Sequence, residues 1–216
     1  METTHSKNSG EERFDVAKMF RRETWCIGES AFAVLLLLIG TSMLDGFYGS
    51  YYNLNQLVFD AFDAPVSIIG IFFGASYAVN ATAYIAADFF SSRFGKRNTM
   101  LGSMLIEAGL FMILPWFASN PLCLFGLSMV LCFLPEVVYI TSENLIQDAI
   151  ADDLRATILS VASLVRALFS AMFFSIFGYV LGLYPIQIAL GVIGAIAIAI
   201  TAVVSLKMVG IHVSKN

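Results

Sequence analysis

The chain has 216 residues, 58% of them hydrophobic and only 13% charged, and its mean hydropathy is +0.80, whereas an ordinary soluble domain carries roughly 25% charged residues. That composition excludes a water-soluble globule. A net charge of −4 without a basic stripe also excludes the electrostatic footprint of a nucleic-acid binder.

Residues 1–26 mix Glu, Lys, Arg and Ser, and the first apolar run begins only near Ala31, too late and too charged for a signal peptide. Six apolar stretches follow: Ala31 to Tyr52, Val66 to Phe90, Thr99 to Phe117, Leu122 to Thr141, Ile158 to Leu183, and Ile186 to Leu206. Each is long enough to cross a hydrocarbon layer of ~30 Å as a helix. The expected fold is therefore all-α, a polytopic membrane bundle over 27–209 between an amino-terminal cytoplasmic segment (1–26) and a short tail (210–216). Turn chemistry at Ser119-Asn120-Pro121 and Leu183-Tyr184-Pro185 joins neighbouring stretches into helical hairpins. Neither a short-period repeat nor the alternation of a membrane β-barrel is present. Cys26, Cys123 and Cys132 lie at or inside these stretches without metal-ligand or redox spacing, and read as buried free thiols.

Lys and Arg stay on the cytoplasmic side of short loops, which sets the orientation. Lys7, Arg13, Lys18, Arg21 and Arg22 precede the first helix; Arg93, Lys96 and Arg97 lie between the second and third; Arg155 precedes the fifth; Lys207 and Lys215 follow the sixth. The alternate connections, around Asn53 to Pro65, Ala118 to Pro121 and Leu183 to Pro185, contain no Lys or Arg. Both termini are expected in the cytoplasm, which requires an even number of spans.

An ionisable residue deep in a membrane helix costs about 2.5–3.5 kcal/mol on insertion scales, so each one invites a functional reading. The first five helices carry Asp45, Asp88, Glu107, Glu136 and Arg166 in turn. At 1.5 Å per residue, Glu107 and Arg166 fall roughly 12 Å from the cytoplasmic ends of their stretches and Glu136 roughly 8 Å. On this reckoning Arg166 is placed to pair with either glutamate. Asp88 sits near the interface and reads as a solvated or loop-capping carboxylate. Asp45, roughly 21 Å along the first stretch, is expected to lie beyond the reach of any Lys or Arg on another helix. It must then face water or take up a proton, or else be bonded to a neighbouring helix.

The run from Gly46 through Tyr48 to Asn53 offers hydroxyls, an amide and two glycines able to bend or unwind the helix. Lining a cavity and forming an aromatic belt at the outer interface both remain open for its tyrosines. Asn80 and Tyr139 are candidates for polar contacts in a cavity or for interhelical hydrogen bonds. Pro135 directly before Glu136 predicts a kink that frees a carbonyl beside a carboxylate.

The segment Ser91-Ser92-Arg93-Phe94-Gly95-Lys96-Arg97-Asn98 resembles the signature loop of the major facilitator superfamily, Gly-x-x-x-Asp-Arg-x-Gly-Arg-Lys. Its core of Arg93, Gly95, Lys96 and Arg97 is intact, while Asp88 and Ser92 stand at the pattern's Gly and Asp. Arg155-Ala156-Thr157-Ile158-Leu159-Ser160 resembles the entry to the eleventh helix of many bacterial members, and Phe47 to Arg97 resembles helices seven and eight. Together the resemblance covers nearly all residues after Trp25.

The resemblance implies the second half of such a transporter: two inverted three-helix repeats, with a substrate path near the midplane where the two halves meet. It implies that the first and fourth helices line the cavity, which raises Asp45, Tyr48, Glu136 and Tyr139 as substrate or proton pathway residues, flanked by Asn80 and Arg166. Glu107 falls on a back helix, for packing or for pairing with Arg166, and the third and sixth helices are expected to face lipid. The partners implied are the lipid bilayer, a small-molecule solute and a second six-helix half, supplied by a homodimer or a separate chain. The location implied is the cell membrane. The alternative is a truncated or accessory membrane subunit without transport activity of its own. No cofactor or metal is expected. Enzyme motifs such as membrane Gly-x-Gly-Asp, His-Glu-x-x-His or a Gly-rich phosphate cradle are missing from the sequence.

Overall fold

The computed structural model describes residues 31–117, 120–148, 150 and 152–209. The expected cytoplasmic segment (1–26) and tail (210–216) lie outside the described residues. Among those described there are six helices and no strand: α1 (Ala31–Ala61), α2 (Val66–Phe94), α3 (Lys96–Phe117), α4 (Pro121–Asp148), α5 (Asp152–Leu183) and α6 (Ile186–Val209). Five of them, α2 to α6, are long and apolar enough to cross a membrane. The remaining helix, α1, has 31 residues, about 46 Å of helix, and packs among the others.

All six helices appear where apolar stretches were expected, but most outrun them. Helix α1 continues past Tyr52 to Ala61 because Leu54, Val58 and Phe59 stay buried on one face while Asn53, Gln56 and Asp60 are exposed on the other. It stops in a turn where Asp63 takes φ 53° and the Ala64 amide donates back to the Phe59 carbonyl at 3.0 Å. In the same way α4 runs past Thr141 to Asp148, and α5 starts at Asp152 rather than Ile158. Apolarity sets the length of helix that suits hydrocarbon; backbone hydrogen bonding carries the helix beyond that run.

The expected loop between the second and third helices is almost wholly helical. Gly95 alone separates α2 from α3, with φ 83° and ψ 145°, a conformation open to glycine and to almost nothing else. Its amide donates to the Ser91 carbonyl and its carbonyl accepts from the Thr99 amide.

Helix α1 is central. It packs most extensively on α5 and also on α4 and α6, while α2 packs on α4, and α3 packs on α4 and α6. Helices α1 and α5 run parallel in one register: the Ser42 hydroxyl approaches the Ala162 carbonyl at 3.4 Å, and the Ser50 hydroxyl approaches the Ser170 carbonyl at 2.9 Å. Between these two contacts, a Cβ on Gly46 would lie 2.7 Å from the Ser170 amide nitrogen. The glycines therefore do not unwind α1, which is continuous through Gly46 and Gly49. Gly46 instead lets two backbones meet, the use membrane helices make of small residues. Gly194 serves α6 in the same way, its Cβ direction lying 3.1 Å from the Phe111 backbone of α3. Phe47 is fully buried and meets Phe111, Phe173 and Phe177 edge-on, with centroids 5.8, 5.3 and 4.8 Å away.

The third and sixth helices, expected to face lipid, each have an outward apolar face and an inward packed one. Helices α3 and α6 each present Leu105 and Ile106, or Val203 and Leu206, outward, but they bury Met104, Glu107 and Phe111, or Ala189, Leu190 and Ala197, inward. The least buried helices are α2 and α5, which expose Tyr77, Tyr84 and Ile85, and Leu164, Leu168 and Tyr179.

Arg93, Lys96, Arg97 and Arg155 gather at one end of the bundle. There Lys96 Nζ lies 2.5 Å from Asp148 of α4, and Arg155 pairs with Asp152 at 2.8 Å while donating to the Gln147 carbonyl at 3.3 Å. Replacing Gly95 by Ala places a Cβ residue at φ 83°, and is expected to lower stability by about 1–3 kcal/mol. A depressed melting temperature of the detergent-solubilised chain checks this; an unchanged one contradicts it.

Candidate functional site

The ionisable residues of the helix interiors do not pair as their sequence depths suggested. Arg166 of α5 meets Asp45 of α1, with Nε 2.7 Å from Oδ2. Counted from the true helix starts, Ala31 and Asp152, both residues stand about 21 Å along their parallel helices. The expectation that Asp45 had no cation within reach failed because α5 begins further from the apolar core than its hydropathy indicated. The approach lies off the Nε–H axis, so it acts as an ion pair more than as an aligned hydrogen bond.

Arg166 has a second carboxylate, Glu143 of α4, 3.7 Å from Nη2. The Tyr139 hydroxyl donates to Glu143 Oε1, and the Tyr139 ring lies beneath the guanidinium, 4.3 Å from Cζ. Tyr139 thus supports Arg166 twice, by orienting its counter-ion and by offering the face of its ring. Glu136, one turn earlier on α4, is within electrostatic range of both Asp45 and Arg166. The Arg166 side chain is 24% exposed, and those of Asp45 and Glu143 28% each. The group is therefore open on one side rather than sealed in the core.

Glu143 lies past Thr141, the last residue of the expected fourth stretch, and so is not among the candidates drawn from the sequence. Its signal was periodic: Tyr139 and Glu143 are four apart, and Glu136 and Glu143 seven apart, so all three share a helix face.

The other candidates lie elsewhere. Asn80 of α2 turns its amide nitrogen to the Cys132 and Ser76 carbonyls, each at 3.2 Å, the orientation that satisfies both groups. Its role is to tie α2 to α4, one turn before Pro135 removes a helical amide donor. Tyr52 links α1 to α2, its hydroxyl 3.0 Å from Ser76 Oγ. Tyr48 faces the interior, on the side of α1 away from solvent, and is 3% exposed. Asp88, Arg93 and Gly95 are exposed, and Lys96 is held by Asp148. Among the described residues no three His, Cys, Asp or Glu side chains converge as metal ligands.

The site can hold an anionic or zwitterionic group on Arg166, or release Arg166 when Asp45 or Glu143 gains a proton. In comparisons with family models, curated proteins and solved structures, the chain matches none.

Asp45 and Arg166 are expected to be energetically coupled. Asp45→Asn and Arg166→Gln should each destabilise the protein, and the double variant should lose less than the sum, by about 0.5–3 kcal/mol. Strict additivity in thermal or chemical denaturation would mean that the pair does not form.

Proposed function

We propose that this chain is one half of a secondary transporter of the major facilitator type, moving a small solute across the cell membrane with protons as the coupling ion. The observation that carries this reading is the Asp45–Arg166–Glu143 group, partly exposed on one side of an apolar bundle. Charges so placed are costly in lipid and serve where a polar path passes. A solute with an anionic group competes with Asp45 and Glu143 for Arg166; a proton on either carboxylate frees the guanidinium for it. Glu136 lies close enough to sense both states.

The pattern of helix packing supports two three-helix repeats. Exchanging α1–α3 for α4–α6 turns the α1 with α5 contact into that of α4 with α2, and leaves the α3 with α6 contact unchanged. All six helices then span the bilayer, with both termini in the cytoplasm and the basic end, at Arg93, Lys96, Arg97 and Arg155, facing inward. Lone, the bundle would turn its half-exposed charges and the tyrosines of α2 and α5 toward lipid, so a second six-helix half covers this face and completes the path.

The topology is checked by labelling single cysteines in a background lacking Cys26, Cys123 and Cys132. Asn120→Cys should react with an impermeant maleimide in intact cells, and Arg93→Cys only after permeabilisation; the reverse pattern would overturn the orientation. The functional reading is tested by purifying the chain alone and with a co-expressed neighbouring membrane subunit, then measuring solute-linked proton movement in liposomes. A complex of about twelve helices whose flux disappears in Asp45→Asn and Arg166→Gln is expected. Flux that survives both substitutions would instead make the chain an accessory subunit.

A further inference from the structure

On the inner side of α1, away from the ion pair, Glu107 of α3 is fully buried and neither carboxyl oxygen has a hydrogen-bond partner. The ionisable groups acting on it are Asp45 and Tyr48 of α1, with Cys132 of α4 also within electrostatic range. None is a cation. Among the described residues, helices α2 and α6 turn no ionisable side chain toward it, and Thr201 of α6 stands beside the Tyr48 hydroxyl. Tyr48 is 3% and Thr201 1% exposed, and both hydroxyls also lack a partner. Three unpartnered polar side chains from three helices therefore converge in the bundle interior.

An ionised carboxylate here would have no counter-charge and no solvent, which costs several kcal/mol. A neutral acid needs one acceptor for its O–H and one donor for its C=O, and a tyrosine or threonine hydroxyl can be either. Charge balance points the same way. Asp45, Glu136 and Glu143 already share Arg166, so a further negative charge at Glu107 would add to an excess.

We infer that Glu107 is a resident proton site: a carboxylic acid that holds one proton inside the bundle, with the Tyr48 hydroxyl as its hydrogen-bonding neighbour and the Thr201 hydroxyl beside that of Tyr48. In the binding step a carboxylate lone pair forms an O–H bond with a proton delivered from water, and nothing is oxidised or reduced. The site is linked to the ion pair through the charge of Asp45. A proton on Glu107 and an ionised Asp45 favour each other, and this coupling is reciprocal. Loss of the Asp45 charge therefore weakens the hold of Glu107 on its proton, across the width of α1. The site stands independently of whether the chain carries a solute.

Infrared spectroscopy of the full chain in lipid tests this without requiring access to the buried group. The spectrum of the wild type minus that of Glu107→Gln should contain the carbonyl stretch of a protonated carboxylic acid at neutral pH, shifting on exchange into D2O. A difference spectrum showing only carboxylate bands would overturn the inference. Tyr48→Phe and Thr201→Val keep the acid and the shape of the site, so they serve if Glu107→Gln does not fold. At least one should displace the carboxylic acid band, and a band unmoved by both would overturn the assignment. In the Asp45→Asn variant the band should disappear at a lower pH than in the wild type; an unchanged titration would overturn the linkage.

Discussion

The site is organised by the requirement that Arg166 be neutralised midway along the helices. Among the described residues it is the one cation away from the ends of the helices, and a guanidinium stays charged at any pH that a folded protein meets. Two helices answer that requirement, α1 with Asp45 and α4 with Glu143 and Tyr139. The parallel register of α1 and α5, held by Ser42, Gly46 and Ser50, keeps Asp45 and Arg166 at one height. The packing of helix backbones and the pairing of charges are thus parts of one arrangement.

The position of α1 follows from the two faces it must present. One side carries Asp45 toward the open surface; the other carries Phe47, Tyr48 and Tyr51 into an aromatic interior around Phe111. A single helix therefore borders both the charged group and the sealed carboxyl of Glu107. Helices α2 and α5 flank it with exposed aromatic and aliphatic side chains, and α3 and α6 close the back.

Much of the architecture was legible in the sequence, because in a bilayer every backbone polar group must be satisfied within its own segment and long apolar runs have few alternatives to a helix. All six apolar stretches became helices, and the turns at Phe62–Pro65 and Tyr184–Pro185 fell near their expected places. The charged site was less legible. The edge of apolarity misplaces depth on α5, which extends beyond Ile158 to Asp152, and that difference of about one turn and a half is what sets Asp45 and Arg166 apart in sequence. Glu143 escaped notice for a related reason, lying past the apolar run yet still in the same helix. The role of Gly46 depends on the partner backbone at Ser170, which no local pattern reveals.

The single residue between α2 and α3 has a mechanical consequence. With Gly95 the whole of the connection, and Lys96 fastened to Asp148, there is no slack through which either helix can slide past the other. Reorientation at that end must pass through the two backbone torsions of one glycine, so the pair behaves as a stiff fork hinged at its crook. Force applied to the exposed flank of α2 is then delivered through Gly95 to α3, the helix that carries Glu107.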